Sequence, residues 1–232
     1  MKLSAFEMAC LQSTLRTLRL QPTDILDGEN RIPDNQNDPL LRVARPTWIG
    51  KDYEPGGVLL LGKNPAGGSI SHKEISHPSD HAFAAALKQL YTYRDVDSYH
   101  FWRDVAQPNA MATWRIWNIS ALAVIEALKP LGLDANSIAF GNLVPFRTEG
   151  NTVSSREYIL GWERDVSHVI SILKPCLIIK MTADFQKFSQ YCTTTVVGFR
   201  RSNGDRGITP SGWADLQIIG TWAKRWAASI TS

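Results

Sequence analysis

The sequence lacks any apolar run long enough to cross a membrane, since a spanning helix needs about 20 apolar residues. Its opening, MKLSAFEMACLQSTLRTLRL, is not a secretory leader, because Glu7, Gln12 and Arg16 break the apolar stretch. A cytoplasmic protein is expected. Cysteine is scarce: 232 residues hold 3, namely Cys10, Cys176 and Cys192. An odd, scattered set argues against a disulfide framework and cannot make a four-thiolate cluster. The 5 histidines form no HExxH. His72, His77 and His81 straddle a proline-containing loop, which reads as a solvated loop rather than a metal site. Neither metal nor cofactor is expected. An excess of one charge is also missing. Lys and Arg number 25 against 22 Asp and Glu, a net charge of +3. That permits a nucleic-acid partner through a local basic patch but does not demand one. Three familiar loops are absent. Gly62-Lys63 is followed by Asn64-Pro65, so no Walker loop is completed, and neither GxGxxG nor GxSxG occurs.

What is present is an ordinary globular composition, 44% hydrophobic and 20% charged. One domain over 1–232 is expected, with an N-terminal helix and irregular lead-in over 1–57 and a core over 58–228. Leu11, Leu15 and Leu18 recur at helical spacing in the first helix. Residues 21–57 are rich in Pro, Asp, Asn and Gly and read as irregular. GVLLLG, SIAFGNLVPF and CLIIKM are short apolar runs, the pattern of strands buried on both faces. TTVVG adds a fourth strand. Between them lie helical stretches. SDHAFAAALKQLYTY offers Ser79 as an N-cap with Phe83, Ala86, Leu87 and Leu90 as its stripe. ISALAVIEALKPLG is closed by Pro130 and Gly132. SSREYILGWERDVSHVISILKP carries a capping box, Ser154 and Glu157, and an apolar face of Ile159, Trp162, Val166, Ile170 and Leu173. ADFQKFSQY and ADLQIIGTWAKRWAA complete the set. Alternating strands and helices predict an α/β fold. The expected form is a three-layer α/β/α sandwich around a central, mostly parallel four-stranded sheet.

Ligands of open α/β sheets sit at the carboxyl ends of strands. Three such ends are unusual here: 62–68, 142–147 and 209–213. Taken alone, GKNPAGG could be a tight turn in which Asn64 bonds the backbone. In order along the chain, however, stand GKNPAGG, HPSDHAF, FGNLVPFRTEG and TPSGW. This succession resembles the uracil-DNA glycosylase superfamily, nearest its mismatch-specific uracil/thymine branch, over roughly 55–225. The resemblance implies that Asn64 positions the water that attacks the deoxyribose. It implies a base pocket of Gly62, Lys63, Pro65, Ala66 and Ile75, with Asn142 reading the flipped base. Thr209, Pro210, Ser211 and Gly212 match the loop that pinches DNA phosphates. Trp213 stands where the family carries an apolar wedge. Arg200, Arg201 and Arg206 flank the Asn203-Gly204 turn and suit phosphate contact as well as a solvated hairpin.

The chemistry suits these residue types. N-glycosidic cleavage passes through an oxocarbenium-like sugar and releases an anionic base. An asparagine holds water without acting as a strong base. Departures from the family pattern concern the pocket. Ala66 replaces a glycine, Ile75 and Ser76 stand where a stacking aromatic is usual, and Thr209 opens the last loop. The expected activity is therefore a monofunctional DNA glycosylase acting on a damaged or modified pyrimidine, such as the bulky cytosines of phage DNA. A uracil or mismatch repair enzyme, an inactive nucleic-acid-binding protein on this fold, and a small-molecule nucleotide hydrolase are the alternatives. DNA is the expected partner and the protein is expected to be a monomer.

Overall fold

The computed structural model describes residues 3–27, 43–63, 65, 78–108, 132–146, 148, 152–180 and 195–198. Their strands are β1 (Trp48–Ile49), β2 (Val58–Gly62), β3 (Ile138–Asn142), β4 (Leu177–Lys180) and β5 (Thr195–Gly198). They form one sheet in the order β1-β3-β2-β4-β5. β2 lies parallel to β3 and to β4, and β4 parallel to β5. β1 is antiparallel to β3, with Trp48 opposite Phe140. The protein is thus mixed α/β, with four parallel strands and a two-residue antiparallel edge. That edge corrects the reading of 21–57 as irregular throughout. Two residues have no period to recognise, and it is pairing with β3 that makes them a strand.

The three apolar runs became β2, β3 and β4 for the reason the sequence suggests. Val58, Leu59, Leu60, Ile138, Ala139, Leu177, Ile178 and Ile179 have no accessible surface, so both faces of the central strands are covered. Trp48 and Leu61 are almost as deeply buried.

Helix α1 (Ala5–Leu18) starts at the Ser4–Glu7 capping box, in which the Ser4 hydroxyl accepts from the Glu7 N–H at 3.1 Å. Helix α2 (Pro78–Tyr93) begins at its proline. Ser79 therefore lies inside the first turn and is not the cap: a proline at the first helical position needs no N–H partner and pre-sets φ. Ala86, Leu87 and Leu90 bury the expected stripe. Helix α3 (Val96–Phe101), capped by Asp95, runs on into a π-helical turn, Trp102–Ala106.

The long helix expected after Ser154 is present but interrupted. α4 (Ser155–Gly161) carries the Ser154–Glu157 capping box, Trp162–Val166 is π-helical, and α5 (Ser167–Leu173) ends at Lys174 with φ 45°. A π turn adds a residue to the winding and so rotates the succeeding turns about the helix axis. The buried face accordingly is Tyr158, Gly161, Asp165, Val166, Val169 and Leu173, while Ile159 is 47% exposed. The expected face, with Ile159 in it, is corrected by that rotation. The remaining expected helices, over 119–131, 183–191 and 214–228, lie outside the described residues.

α1 grips both π turns. Glu7 Oε1 pairs with Arg103 Nη1 at 3.5 Å, and the Thr17 hydroxyl donates to Asp165 Oδ1 at 2.5 Å. Arg103 also chelates the neighbouring Asp104, at 2.6 and 3.0 Å, and lies over the Tyr99 ring. Phe6 stacks on Tyr53, whose hydroxyl reaches the Leu173 carbonyl. α1 and residues 43–57 are thereby part of the folded body.

Candidate functional site at the strand ends

The sheet order decides where a ligand would meet the protein. The chain leaves β2 for a neighbour on one side, β3, and returns to the other side as β4. The strand order reverses beside β2, and in open α/β sheets that is where ligands bind, outside the carboxyl ends. Gly62, Asn142 and Lys180 are the last residues of β2, β3 and β4.

Two of the expected residues meet here. Gly62 and Asn142 are register partners, and partners in parallel strands share a face. A Cβ built on Gly62 would lie 2.6 Å from Asn142 Oδ1. The bare glycine is therefore what lets the carboxamide lie across β2. Behind it, Gly141 abuts Thr47 just as closely, and the chain has no room for a side chain there either. Asn142 keeps only 7% of its surface. Its Oδ1 is buried and has no hydrogen-bond partner among the described residues. Buried acceptors are nearly always paired, and leaving one unpaired costs roughly 1–3 kcal/mol. An oxygen kept in that state at a strand end is one that a ligand N–H can satisfy.

The backbone around it is fixed beyond the strands themselves. The Leu143 N–H donates to the Gly62 carbonyl at 2.9 Å and the Val144 N–H to the Lys63 carbonyl at 2.9 Å. Two backbone bonds thus tie the chain just past β3 to Gly62 and to Lys63, which is half-buried, and Pro65 beyond it is buried. Asn64, Ala66 and Ile75 lie outside the described residues. So do Arg200, Arg201 and Arg206, and so does the loop Thr209, Pro210, Ser211, Gly212 and Trp213. Among the expected site residues, the described ones are Gly62, Lys63, Pro65 and Asn142, and they cluster at the end of β2.

Lys180 joins them at the end of β4, although no motif marks it. The available signal in the sequence is an apolar strand, LIIK, ending abruptly in a cation. It is half-buried and aligned with Leu61 on β2 and Gly198 on β5.

The titratable groups with displaced pKa values gather around α1 rather than here. Burial raises the Asp165 carboxyl to about 6, against smaller lowering by the Thr17 hydroxyl and Arg16. Burial also pushes the Cys10 thiol up to about 12, which makes it unreactive. His168 is lowered by burial and by Arg16. Among the described residues no group of three or more His, Cys, Asp or Glu could hold a metal. No helix among them is long and apolar enough to cross a membrane. No protein-family model matches the chain, and no curated protein is significantly similar to it.

Proposed function

We propose that the protein is a monofunctional DNA glycosylase that hydrolyses the N-glycosidic bond of a pyrimidine turned out of the DNA stack. The observation that carries this reading is the Asn142 carboxamide, nine-tenths buried over the bare Gly62, with its Oδ1 unpartnered among the described residues. Such an acceptor matches the N–H on the pairing edge of a pyrimidine, and a flipped base is read by hydrogen bonds to that edge. Asn64, two residues beyond Gly62, holds the attacking water in this reading. The amides of the turn around Lys63 then face the negative charge of the departing base. Pro210, Ser211 and Gly212 grip backbone phosphates, and Trp213 fills the vacated space in the stack. Arg200, Arg201 and Arg206 add phosphate contacts.

Strand order supports the finer fold as well. The crossings from β2 to β3 and from β3 to β4 run in opposite directions across the sheet. Right-handed crossovers then put α2 and α4–α5 on opposite faces, the arrangement of a three-layer sandwich. The target we favour is a modified cytosine, because Ile75 and Ser76 stand where the family carries its stacking aromatic. Plain uracil is the alternative.

The test is mass analysis of the base freed from uracil-containing, mismatched and hypermodified phage DNA. Release of an altered cytosine, lost in Asn64→Ala while DNA binding persists, is the expected result. Release of uracil alone would remove the modified-base target. Binding without any release would leave a non-catalytic nucleic-acid-binding protein.

A further inference from the structure

Lys63 is the first residue past β2, directly after the glycine over which the Asn142 carboxamide lies. The Gly62 and Lys63 carbonyls accept from the Leu143 and Val144 N–H groups, each at 2.9 Å. In a strand, successive carbonyls point to opposite neighbours. Here two in succession meet the same one, so the chain turns at Lys63. Its side chain is thereby freed from the alternation that sends Leu61 and Gly62 to opposite faces. Consecutive Cα atoms lie about 3.8 Å apart, so the long Lys63 stem starts beside the site that Asn142 lines.

The backbone neighbours of Lys63 are apolar. Leu61, Leu143 and Val144 are buried, and so is Pro65. Lys63 itself is half-buried. Among the described residues it has neither an ion pair nor a side-chain hydrogen bond. Half-burying a cation beside leucine, valine and proline costs desolvation that no carboxylate among the described residues offsets. Asn142 Oδ1 is a buried acceptor, also without a partner among them. A donor cation and an acceptor thus stand side by side at the end of the β2–β3 pair. A ligand that satisfies both carries an N–H beside an oxygen that holds negative charge.

A pyrimidine departing from DNA has that pattern. Its O2 lies on the same pairing edge as its N–H group, in cytosine as in uracil. The C1′–N1 bond breaks with its electron pair moving to the ring, where N1 and O2 share the charge. A water oxygen bonds C1′ and gives up one proton, which the released base takes up at N1 through solvent. We propose that the Lys63 ammonium donates to O2 of the departing pyrimidine and stabilises the charge that develops there, keeping its own protons throughout. This rests on the glycosylase reading, and gives the Lys63 side chain a role beside that of the turn amides. Since O2 is common to the pyrimidines, the contact serves a modified cytosine and uracil alike.

The experiment has two arms. Single-turnover base release is measured on the DNA from which wild type frees a base. In parallel, each protein is titrated with two free bases in the presence of a duplex carrying a tetrahydrofuran abasic analogue. The bases are neutral uracil and 5-nitrouracil, which is anionic near neutral pH. Lys63→Met is expected to slow release about 100-fold, the effect of removing one donor to a developing anion. Wild type should bind 5-nitrouracil about tenfold more tightly than uracil, because hydrogen bonds to charged groups are the stronger ones. Lys63→Met should lose that preference while its affinity for uracil stays within a few-fold, and Lys63→Arg should keep both. Lys63→Gln takes the place of the methionine variant if that variant melts early. Neutral variants that keep the release rate or the anion preference overturn the assignment. So does an equal loss of affinity for the two bases, the mark of a merely structural lysine. If wild type prefers the anion through Lys63 but frees no base from any DNA, the glycosylase reading falls and the Lys63 contact stands. Wild type that binds the two bases equally, or neither, overturns the contact even where it frees a base.

Discussion

Asn142 and Gly62 act as a pair. Without a Cβ at 62, the Asn142 carboxamide can lie over β2; with one, it must move by several tenths of an ångström or more. Gly62→Ala is therefore expected to lower base release at least tenfold while changing stability by no more than about 1 kcal/mol, because the displaced group is the end of a side chain. Steady-state release rates and a urea titration measure the two. Asn142→Leu separates stability from activity more sharply. Leucine has a similar volume and removes a buried acceptor that is unpaired among the described residues, so the variant should be as stable as wild type or more stable by about 1 kcal/mol. Its base release should drop by about 100-fold, the loss expected when a hydrogen bond of roughly 2.7 kcal/mol to the reacting base is removed. A variant that lost stability but kept its release rate would show the carboxamide to be structural. None of this could be read from GKNP or FGN alone. The letters name a glycine and an asparagine, but their proximity depends on the pairing of two distant segments.

At the scale of elements, the α1 contacts to the two π turns predict a definite pH dependence. The Thr17 hydroxyl has one proton and two acceptors, Asp165 Oδ1 at 2.5 Å and the Ser13 carbonyl at 3.2 Å. When Asp165 is protonated it can donate to Thr17, which then donates to Ser13, and every group is satisfied. When it is ionised, the buried carboxylate is left with Arg16 as the cation that favours its charge. The folded carboxyl rises from 3.8 to about 6, so the native state binds this proton more tightly than the unfolded chain. Its stabilisation is full below about pH 4 and is lost as pH rises through about 6, a swing of about 3 kcal/mol. Asp165→Asn should abolish that segment of the pH profile and raise the unfolding midpoint at neutral pH, as followed by circular dichroism in urea. A profile identical to wild type would contradict the assignment. The same element shows where local pattern misleads. Ser154 and Glu157 mark the start of α4 correctly, whereas the apolar spacing puts Ile159 inside and the fold leaves it outside. Periodicity assumes an unbroken α-helix, and the π turn at Trp162–Val166 breaks that assumption.

For the whole molecule, α1 is a structural part of the body and not an appendage. It supplies Cys10, Leu11 and Leu18 to the core and one polar partner to each of two buried residues, Arg103 and Asp165. Removing 1–27 would leave Arg103 without Glu7, Asp165 without Thr17 and Tyr53 without the Phe6 ring. Arg103 would keep Asp104. Losing the donor to the buried Asp165, however, costs about 1–3 kcal/mol, and losing the core contribution of Leu11 and Leu18 about 1.5–3 kcal/mol per side chain, together comparable to the whole stability of many domains. The truncated chain is expected to lose its cooperative thermal transition, while full-length protein keeps the Cys10 thiol unreactive toward an aromatic disulfide reagent. Cooperative melting of the truncated form would show that α1 is dispensable.

The sequence by itself determined the elements whose signals are local. Three or four apolar residues in a row were enough for β2, β3 and β4, and a serine three residues before a glutamate was enough to begin α4. Those signals work because burial on both faces and capping act within a turn or two of the chain. Only the tertiary structure decided that β3 and β4 flank β2 on opposite sides, that Trp48–Ile49 is a strand at all, and that Asn142 reaches across Gly62 while Lys180 stands beyond it. Strand order and register come from pairing between segments far apart in the chain, and no local pattern carries that information.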